Sequence, residues 1–463
     1  MEGLQLPRCG FSMCNLKTQA PGLGQVEKLR KDQFSFARIP RHEGRPVRGG
    51  HAAGMRRELD LFRSLLLTEL DLGRYIFDIW DLAMNQFSLT DEKKDFANRV
   101  LQLARTELES KSSVIDEQAR YPREVIKKFA EFGLFGLAVP KKYGGSGRPL
   151  LDICLAIEQV ARVDNSAALC VGVNVGGLSP ILQGGNEEQK GNYLPRIAKG
   201  ESIIGVAFTE PEAGSDLGSL RTRAVRRGDH YDINGRKCFI SNAGVASGYS
   251  LLARTGPGKA GISAFILDAD VPGLEIGRIE RKMGARGSPT GELIFEDCKI
   301  PLEKRLGQEG AGFDLAKGML RLTRPLIGAQ GVGLATGALE YALEYAREYR
   351  ERLLSSFDII QYMLADMAIK TEAARQLVYQ AASLVDANHS EASKFSSMVK
   401  CFASDVAMEV STDAIQIFGL RGYSSDYPVG RFMRDAKLFQ IYEGTNQIQR
   451  VTIAKALLAV PSD

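Results

Sequence analysis

From Ser88 onward, apolar and polar positions recur with a helical period. In "SLTDEKKDFANRVLQLARTEL", Ser88 or Thr90 offers an N-cap and acids fill the first turn. Phe96, Val100, Leu103 and Leu108 then fall at helix spacing. The stretch "YPREVIKKFAEFGLFGLAVPKKYGG" predicts a helix, a short apolar run and a Gly-Gly stop, and "NEEQKGNYLPRIAKG" predicts another helix closed by glycine. Between 201 and 308 the period shortens to strands separated by turns: "IIGVAF", "RAVRRG", "HYDING", "RKCFIS", "YSLLART", "ISAFILDA", "LEIGRI" and "GELIFEDCKI". Asn234-Gly235 predicts a hairpin turn. After Gly312 the helical period returns, with breaks expected at Pro325, around 355–357 and at "FGLRGYSSDYP".

The fold class expected is α+β. An N-terminal helical domain (84–200) is followed by a central antiparallel β-barrel-like domain (201–308) and a C-terminal four-helix bundle within 309–463. Residues 1–83 are rich in Gly, Pro and Arg and lack a sustained period, so they read as a poorly ordered extension. It is either an organellar presequence or the product of a start assigned upstream of Met84. Trp80, within that segment, carries no assigned function.

Composition narrows the function classes. The chain has 463 residues and a formal net charge of +4. Residues 1–57 hold 11 Lys and Arg against 4 Asp and Glu, so the rest of the chain sums to −3. A body of that charge lacks the basic footprint of a nucleic-acid binder. No membrane span is expected from the apolar runs. The seven cysteines are scattered without a CxxC pair, and the four histidines are unclustered, so neither a disulfide framework nor a metal site is expected. That points to a reducing compartment: cytoplasm, or mitochondrial matrix if the extension is a presequence. The GxGxxG match at 256–261 precedes a predicted strand instead of a helix, and so reads as a turn.

Chemistry concentrates in five segments. "VAFTEPEAGSDLGS" places Gly214 and Ser215 where backbone can approach a ligand, with Thr209 and Ser215 as hydroxyl donors. The others are "KCFISNAGVA", "MGARGSPTGELIFEDCKIP", "YPVGRFMRD" and "MRDAKLFQIYEGTNQIQR". Within the last, Phe432, Ala436 and Phe439 are followed by a Thr445 cap and by Ile448, Val451 and Leu458, all at helix spacing. This sets Tyr442, Glu443 and Gly444 in a joint between two core-facing helices. A carboxylate with apolar neighbours is poorly solvated, which raises its pKa and makes it a better base for a carbon acid. Main-chain amides at the joint, that of Glu443 included, are placed to stabilise a developing oxyanion.

In this order and spacing the segments resemble the acyl-CoA dehydrogenase family over about residues 84 to 460. The resemblance implies a flavoenzyme of fatty acid metabolism that uses FAD. It removes one hydrogen from each of Cα and Cβ of an acyl-CoA thioester, leaving a trans-2-enoyl-CoA, with Glu443 taking the α-proton. It places Phe208, Thr209, Gly214 and Ser215 on one side of the flavin and acyl site, and Phe239 and Ser241 against the ring. Thr445 and Gln447 follow as cofactor contacts, and Gln416 reaches the adenosine side across a subunit interface. Ser215, Arg324, Tyr442 and Gly444 face the substrate. Some relatives carry the base where this chain has Thr323. The implied partners are an electron-transferring flavoprotein and further copies of the chain, as a homotetramer or homodimer.

Three departures bear on this. The family's Arg-x-x-Phe-Gly is absent, leaving Arg350 or Arg352; its Gly-Gly after Gln416 reads Gly419-Leu420; and Arg321 precedes Arg324 by three where an acid is common at four. Other readings are an acyl carrier protein-linked dehydrogenase, an oxidase that uses oxygen, or a catalytically silent homologue acting as a binding or scaffold subunit. The expected pocket floor, 170–186, is small and apolar and holds no arginine for a second carboxylate, which weighs against a glutaryl group; short to medium acyl chains are the expectation.

Overall fold

The computed structural model describes residues 89–348 and 357–459. The predicted extension, Trp80, Ser88, Arg350 and Arg352 lie outside the described residues. Six helices come first: α1 Asp91–Leu108, α2 Ser112–Gln118, α3 Arg123–Phe132, α4 Leu150–Ala161, α5 Asn165–Gly184 and α6 Glu187–Ala198. Their starts follow local chemistry. Thr90 accepts a hydrogen bond from the Lys93 amide to cap α1, and Asp164 accepts from Ala167 N at 2.9 Å to cap α5. Asn186 and Gln189 form a reciprocal capping box on α6. By length and composition α5 is apolar enough to cross a membrane, but it is largely buried in the protein core.

Eight strands follow: β1 Ile204–Ala207, β2 Arg223–Arg227, β3 His230–Ser241, β4 Gly248–Arg254, β5 Ile262–Asp268, β6 Leu274–Ile279, β7 Thr290–Pro301 and β8 Arg305–Leu306. The sheet differs from the expected antiparallel barrel. Its order is β6-β7-β3-β2-β4-β5-β8, with β1 also on β4, and no pairing joins β6 to β8, so it stays open. It is also mixed, since β1 and β2 both run parallel to β4, at opposite ends of one edge. Asn234-Gly235 makes no hairpin. β3 runs straight through with a bulge there, and Asn234 instead accepts from Asp297 N at 2.9 Å across the ladder. The hairpin lies at Gly228-Asp229, where Gly228 takes φ 61° and the Arg227–His230 pair closes a two-residue loop. The GxGxxG segment is the turn between β4 and β5, as read from the sequence.

The chain closes with α7 Gly312–Glu348, α8 Asp358–Asp386, α9 Ala392–Phe418, α10 Val429–Phe439 and α11 Asn446–Leu458. Three long helices pack together, α10 packs against α7 and α9, and α4 from the N-terminal run adds to the bundle by packing against α7 and α8. One hydrophobic core therefore spans both helical segments, from Phe96 through Ile157 and Val332 to Phe439. Close approach needs glycine here: a Cβ on Gly333 would sit 2.1 Å from the Glu158 carbonyl of α4. The break expected at Pro325 does not occur, and α7 runs through it. A proline leaves the carbonyl four residues earlier without its amide donor. That carbonyl, on Arg321, accepts from Ser396 Oγ of α9 at 2.8 Å.

Candidate active site

Where α5, α7, the sheet and the α10–α11 joint meet, they line a partly open cavity of about 220 Å³. Leu169, Gly172, Val173 and Gly176 of α5 supply an apolar floor with little side-chain bulk. Phe208, Thr209, Phe239 and Ser241 come from the sheet, Thr323, Arg324 and Gln330 from α7, and Tyr442, Glu443 and Gly444 from the joint.

The joint is conformationally strained. Ile441 N and Tyr442 N both donate to the Leu438 carbonyl, finishing α10. Glu443 then takes φ 56° and Gly444 φ 90° before Thr445 caps α11. A left-handed glutamate is costly, by about 1–3 kcal/mol, and persists only where its surroundings over-determine it. Here Gln449 Nε2 donates to the Glu443 and Gly444 carbonyls at 3.2 and 2.9 Å, and Lys400 Nζ donates to the Gly444 carbonyl at 2.7 Å. The Tyr442 hydroxyl donates to Gln330 Oε1 at 2.5 Å. Among the described residues the Glu443 and Gly444 amides have no protein acceptor, so both remain able to donate to a bound oxygen.

The Glu443 carboxylate keeps some surface toward the cavity while protein atoms crowd its other sides. Burial pushes its pKa above the usual range, against the pull of Thr323, Arg324 and Lys400. Thr323 Oγ1 donates to Glu443 Oε2 at 2.8 Å. Arg324 donates to Ser397 Oγ at 3.0 Å, and burial lowers its own pKa.

The sheet wall is held differently. Lys237 is fully buried and donates to the Phe208 carbonyl at 3.0 Å and to Glu210 Oε1 at 2.7 Å. Cys238 N donates to the Thr209 carbonyl at 3.0 Å. Beyond that clasp the β3–β7 register shifts, and Phe239 takes φ 55° with 64% of its surface exposed. A bulged, exposed aromatic beside the Thr209 and Ser241 hydroxyls suits a planar ring that is apolar on its face and polar at its edge. Nothing lies within 4 Å of a Cβ built on Gly214, so the loop beside it has room for such a group. These residues fit a flavin.

Of the residues singled out in the sequence, Phe208, Thr209, Gly214, Ser215, Phe239, Ser241, Arg324, Tyr442, Glu443 and Gly444 line this cavity. Gln416, Thr445 and Gln447 do not. Gln416 and Gln447 are exposed on α9 and α11, and Thr445 accepts from Ile448 N as the helix cap. α11 also departs from expectation: its buried positions are the polar Asn446 and Gln449, while Val451 and Leu458 are exposed. Sequence reasoning missed Gln330 and Lys400. The available signal for Lys400 was its place on a face of small residues, Ser396, Ser397, Ala403 and Ser404, all three or four positions from it.

An apolar cavity lined, among the described residues, by one poorly solvated carboxylate and by two amides without a protein acceptor can receive a proton and can stabilise a developing negative charge on oxygen. Comparison with known proteins gives its family. The models described as acyl-CoA dehydrogenase N-terminal, middle and C-terminal domains match residues 90–201, 205–298 and 310–458. The probable acyl-CoA dehydrogenase FadE25 of Mycobacterium tuberculosis is 46% identical over 376 residues, covering 80% of this chain and 97% of that one. A chain solved in a study of the electron transferring flavoprotein of Acidaminococcus fermentans superposes with TM-score 0.79 at 44% identity, covering 81% of this chain and 100% of its own. Butyryl-CoA dehydrogenase from Megasphaera elsdenii gives TM-score 0.78 at 39% identity, over 80% of this chain and 99% of its own. An acyl-CoA dehydrogenase complexed with FAD from Bacillus anthracis gives 0.76 at 32%, over 80% of this chain and 67% of its own. The chain belongs to the acyl-CoA dehydrogenase family, FAD-dependent oxidoreductases.

Proposed function

We propose that the chain dehydrogenates a short or medium acyl-CoA thioester across Cα and Cβ to the trans-2-enoyl-CoA, with Glu443 as the base. The observation that carries this reading is the Glu443 carboxylate, crowded by protein and bonded by Thr323, facing an apolar cavity from a strained joint.

The acyl chain lies along the floor of α5, where Gly172 and Gly176 leave room for it. The thioester oxygen accepts from the free amides of the joint, which acidifies the α-carbon. Glu443 takes the α-proton; its raised pKa makes the transfer less uphill than an ordinary carboxylate would allow. Thr323 holds one carboxylate oxygen in place, which leaves the other for the proton. Phe208, Thr209, Phe239 and Ser241, on the sheet side of the cavity, would hold the ring system. Bound FAD supplies the acceptor for the hydrogen and electron pair that leave Cβ. An electron-transferring flavoprotein is the partner that this reading assigns for reoxidation.

Anaerobic titration of the FAD-loaded protein with butyryl-CoA and octanoyl-CoA tests this, with Glu443→Gln in parallel. The flavin band should bleach in the parent and persist in the variant. Bleaching that survives Glu443→Gln would remove the base assignment, and a parent that responds to neither thioester would remove the substrate assignment.

A further inference from the structure

We propose that Lys400 is a positioning residue for this reaction: from behind the cavity it fixes the Gly444 carbonyl, and its charge favours the proton-accepting form of Glu443. The inference rests on the role given to Glu443 above.

Lys400 lies on α9, is fully buried, and does not line the cavity, so it cannot touch substrate. Its Nζ donates to the Gly444 carbonyl at 2.7 Å and to Asn446 Oδ1 at 2.9 Å. The same stretch of α9 grips the other end of the joint, since Asp405 Oδ1 accepts from Gln440 Nε2 at 2.7 Å and from Asn446 Nδ2 at 2.8 Å. Asn446 N closes the loop on the Gln440 carbonyl at 3.0 Å. The joint is thereby clamped at both ends to residues 400–405. Glu443 is the one member of it whose side chain turns to the cavity carrying a charge.

Holding a carbonyl and an amide oxygen needs donors, which a neutral side chain could supply. A buried ammonium needs a further reason, because no carboxylate lies within 4 Å of Lys400 among the described residues. The titratable and charged groups facing it are Glu443, Cys401, Arg324 and Asp405. Burial pulls Lys400 down to about 8, with Glu443 the first of the groups holding it up, and Glu443 is drawn down in turn by Lys400. The charge thus acts on the carboxylate without contacting it, drawing its pKa down against the burial that raises it.

The test is α-proton exchange of butyryl-CoA in D2O, followed by NMR across pH with the FAD-loaded protein. The proteins compared are the parent, Lys400→Met, Lys400→Gln and Glu443→Gln. Loss of the charge should move the acid limb of the exchange profile upward by about one pH unit in both Lys400 variants. The plateau should fall further in Lys400→Met, because glutamine retains an N–H for the Gly444 carbonyl. A limb that stays in place while only the plateau drops would make Lys400 purely structural and overturn the proposal, as would failure of both variants to fold with bound flavin. If Lys400→Met alone fails to fold, the Lys400→Gln limb decides. Exchange that survives in Glu443→Gln would instead sink the base assignment.

Discussion

Two glutamates stand near the two walls of the cavity, and their surroundings drive them in opposite directions. Glu210, behind the sheet wall, is 6% exposed, and burial alone would raise its pKa. Lys237 at 2.7 Å, with the amides of Arg221 at 2.5 Å and Thr222 at 2.9 Å, outweighs burial and holds it below the usual carboxylate range. Glu443, on the helical wall, receives one hydroxyl hydrogen bond and charges at longer range, so burial prevails and its pKa rises. A carboxylate bonded on both oxygens, one of them by a lysine, ties backbone together and is disfavoured as a proton acceptor. A carboxylate left short of donors in an apolar setting is reactive.

The largest expected contrast is in turnover. Glu443→Gln should slow flavin bleaching by acyl-CoA by roughly 10²–10⁴-fold, measured by stopped-flow absorbance. It should also stabilise the protein at alkaline pH. A group whose pKa is raised in the folded state contributes stability below its unfolded pKa, and that contribution is lost as pH rises through the folded value. The gain in Tm for the variant should therefore be largest near pH 8 and shrink toward pH 4. A Tm difference that grows on acidification would contradict the raised pKa.

The opposite test is Lys237→Met, which leaves Glu210 charged and buried without its partner. Denaturant unfolding should show a loss of about 3–5 kcal/mol. A loss below 1 kcal/mol would mean that Glu210 is not the structural member of the comparison.

Gly444→Ala probes the strain beside the base. At φ 90° its Cβ would sit 2.7 Å from Gln449 Nε2, so about 1–3 kcal/mol of stability should go. The smallest change is Thr323→Val, which removes the hydroxyl that lowers Glu443. The acid limb of the pH–rate profile should move to higher pH, with stability altered by about 1 kcal/mol. An unmoved limb would show that Thr323 orients the carboxylate without tuning it.

Much of this was legible along the chain. The change of period near 201 and its return near 312 mark the sheet, and Thr90 and Thr445 cap the helices whose starts they suggest. Glu443 stood out as a lone acid in an apolar and amide-rich stretch, and Gly444 beside it allows the positive φ that turns the chain. These are local properties: hydrophobic periodicity, capping and turn chemistry depend on residues a few positions apart.

Other features depend on partners far away in sequence. Pro325 reads as a break, and α7 continues because Ser396 bonds the carbonyl it strands. Asn234-Gly235 reads as a hairpin, and the strand continues because Asp297 engages Asn234 from across the ladder. Val451 and Leu458 carry a helical apolar pattern, while the face of α11 that is buried is the one whose amides have acceptors waiting in the joint and on α9. Thr323 lies 120 positions from the carboxylate it bonds, and Lys400 is 44 from the carbonyl it holds. Local pattern settles the run of helices and strands and where the acid sits along the chain. Whether that acid is paired like Glu210 or left poised like Glu443 was set by burial and by donors that only the folded chain brings within reach.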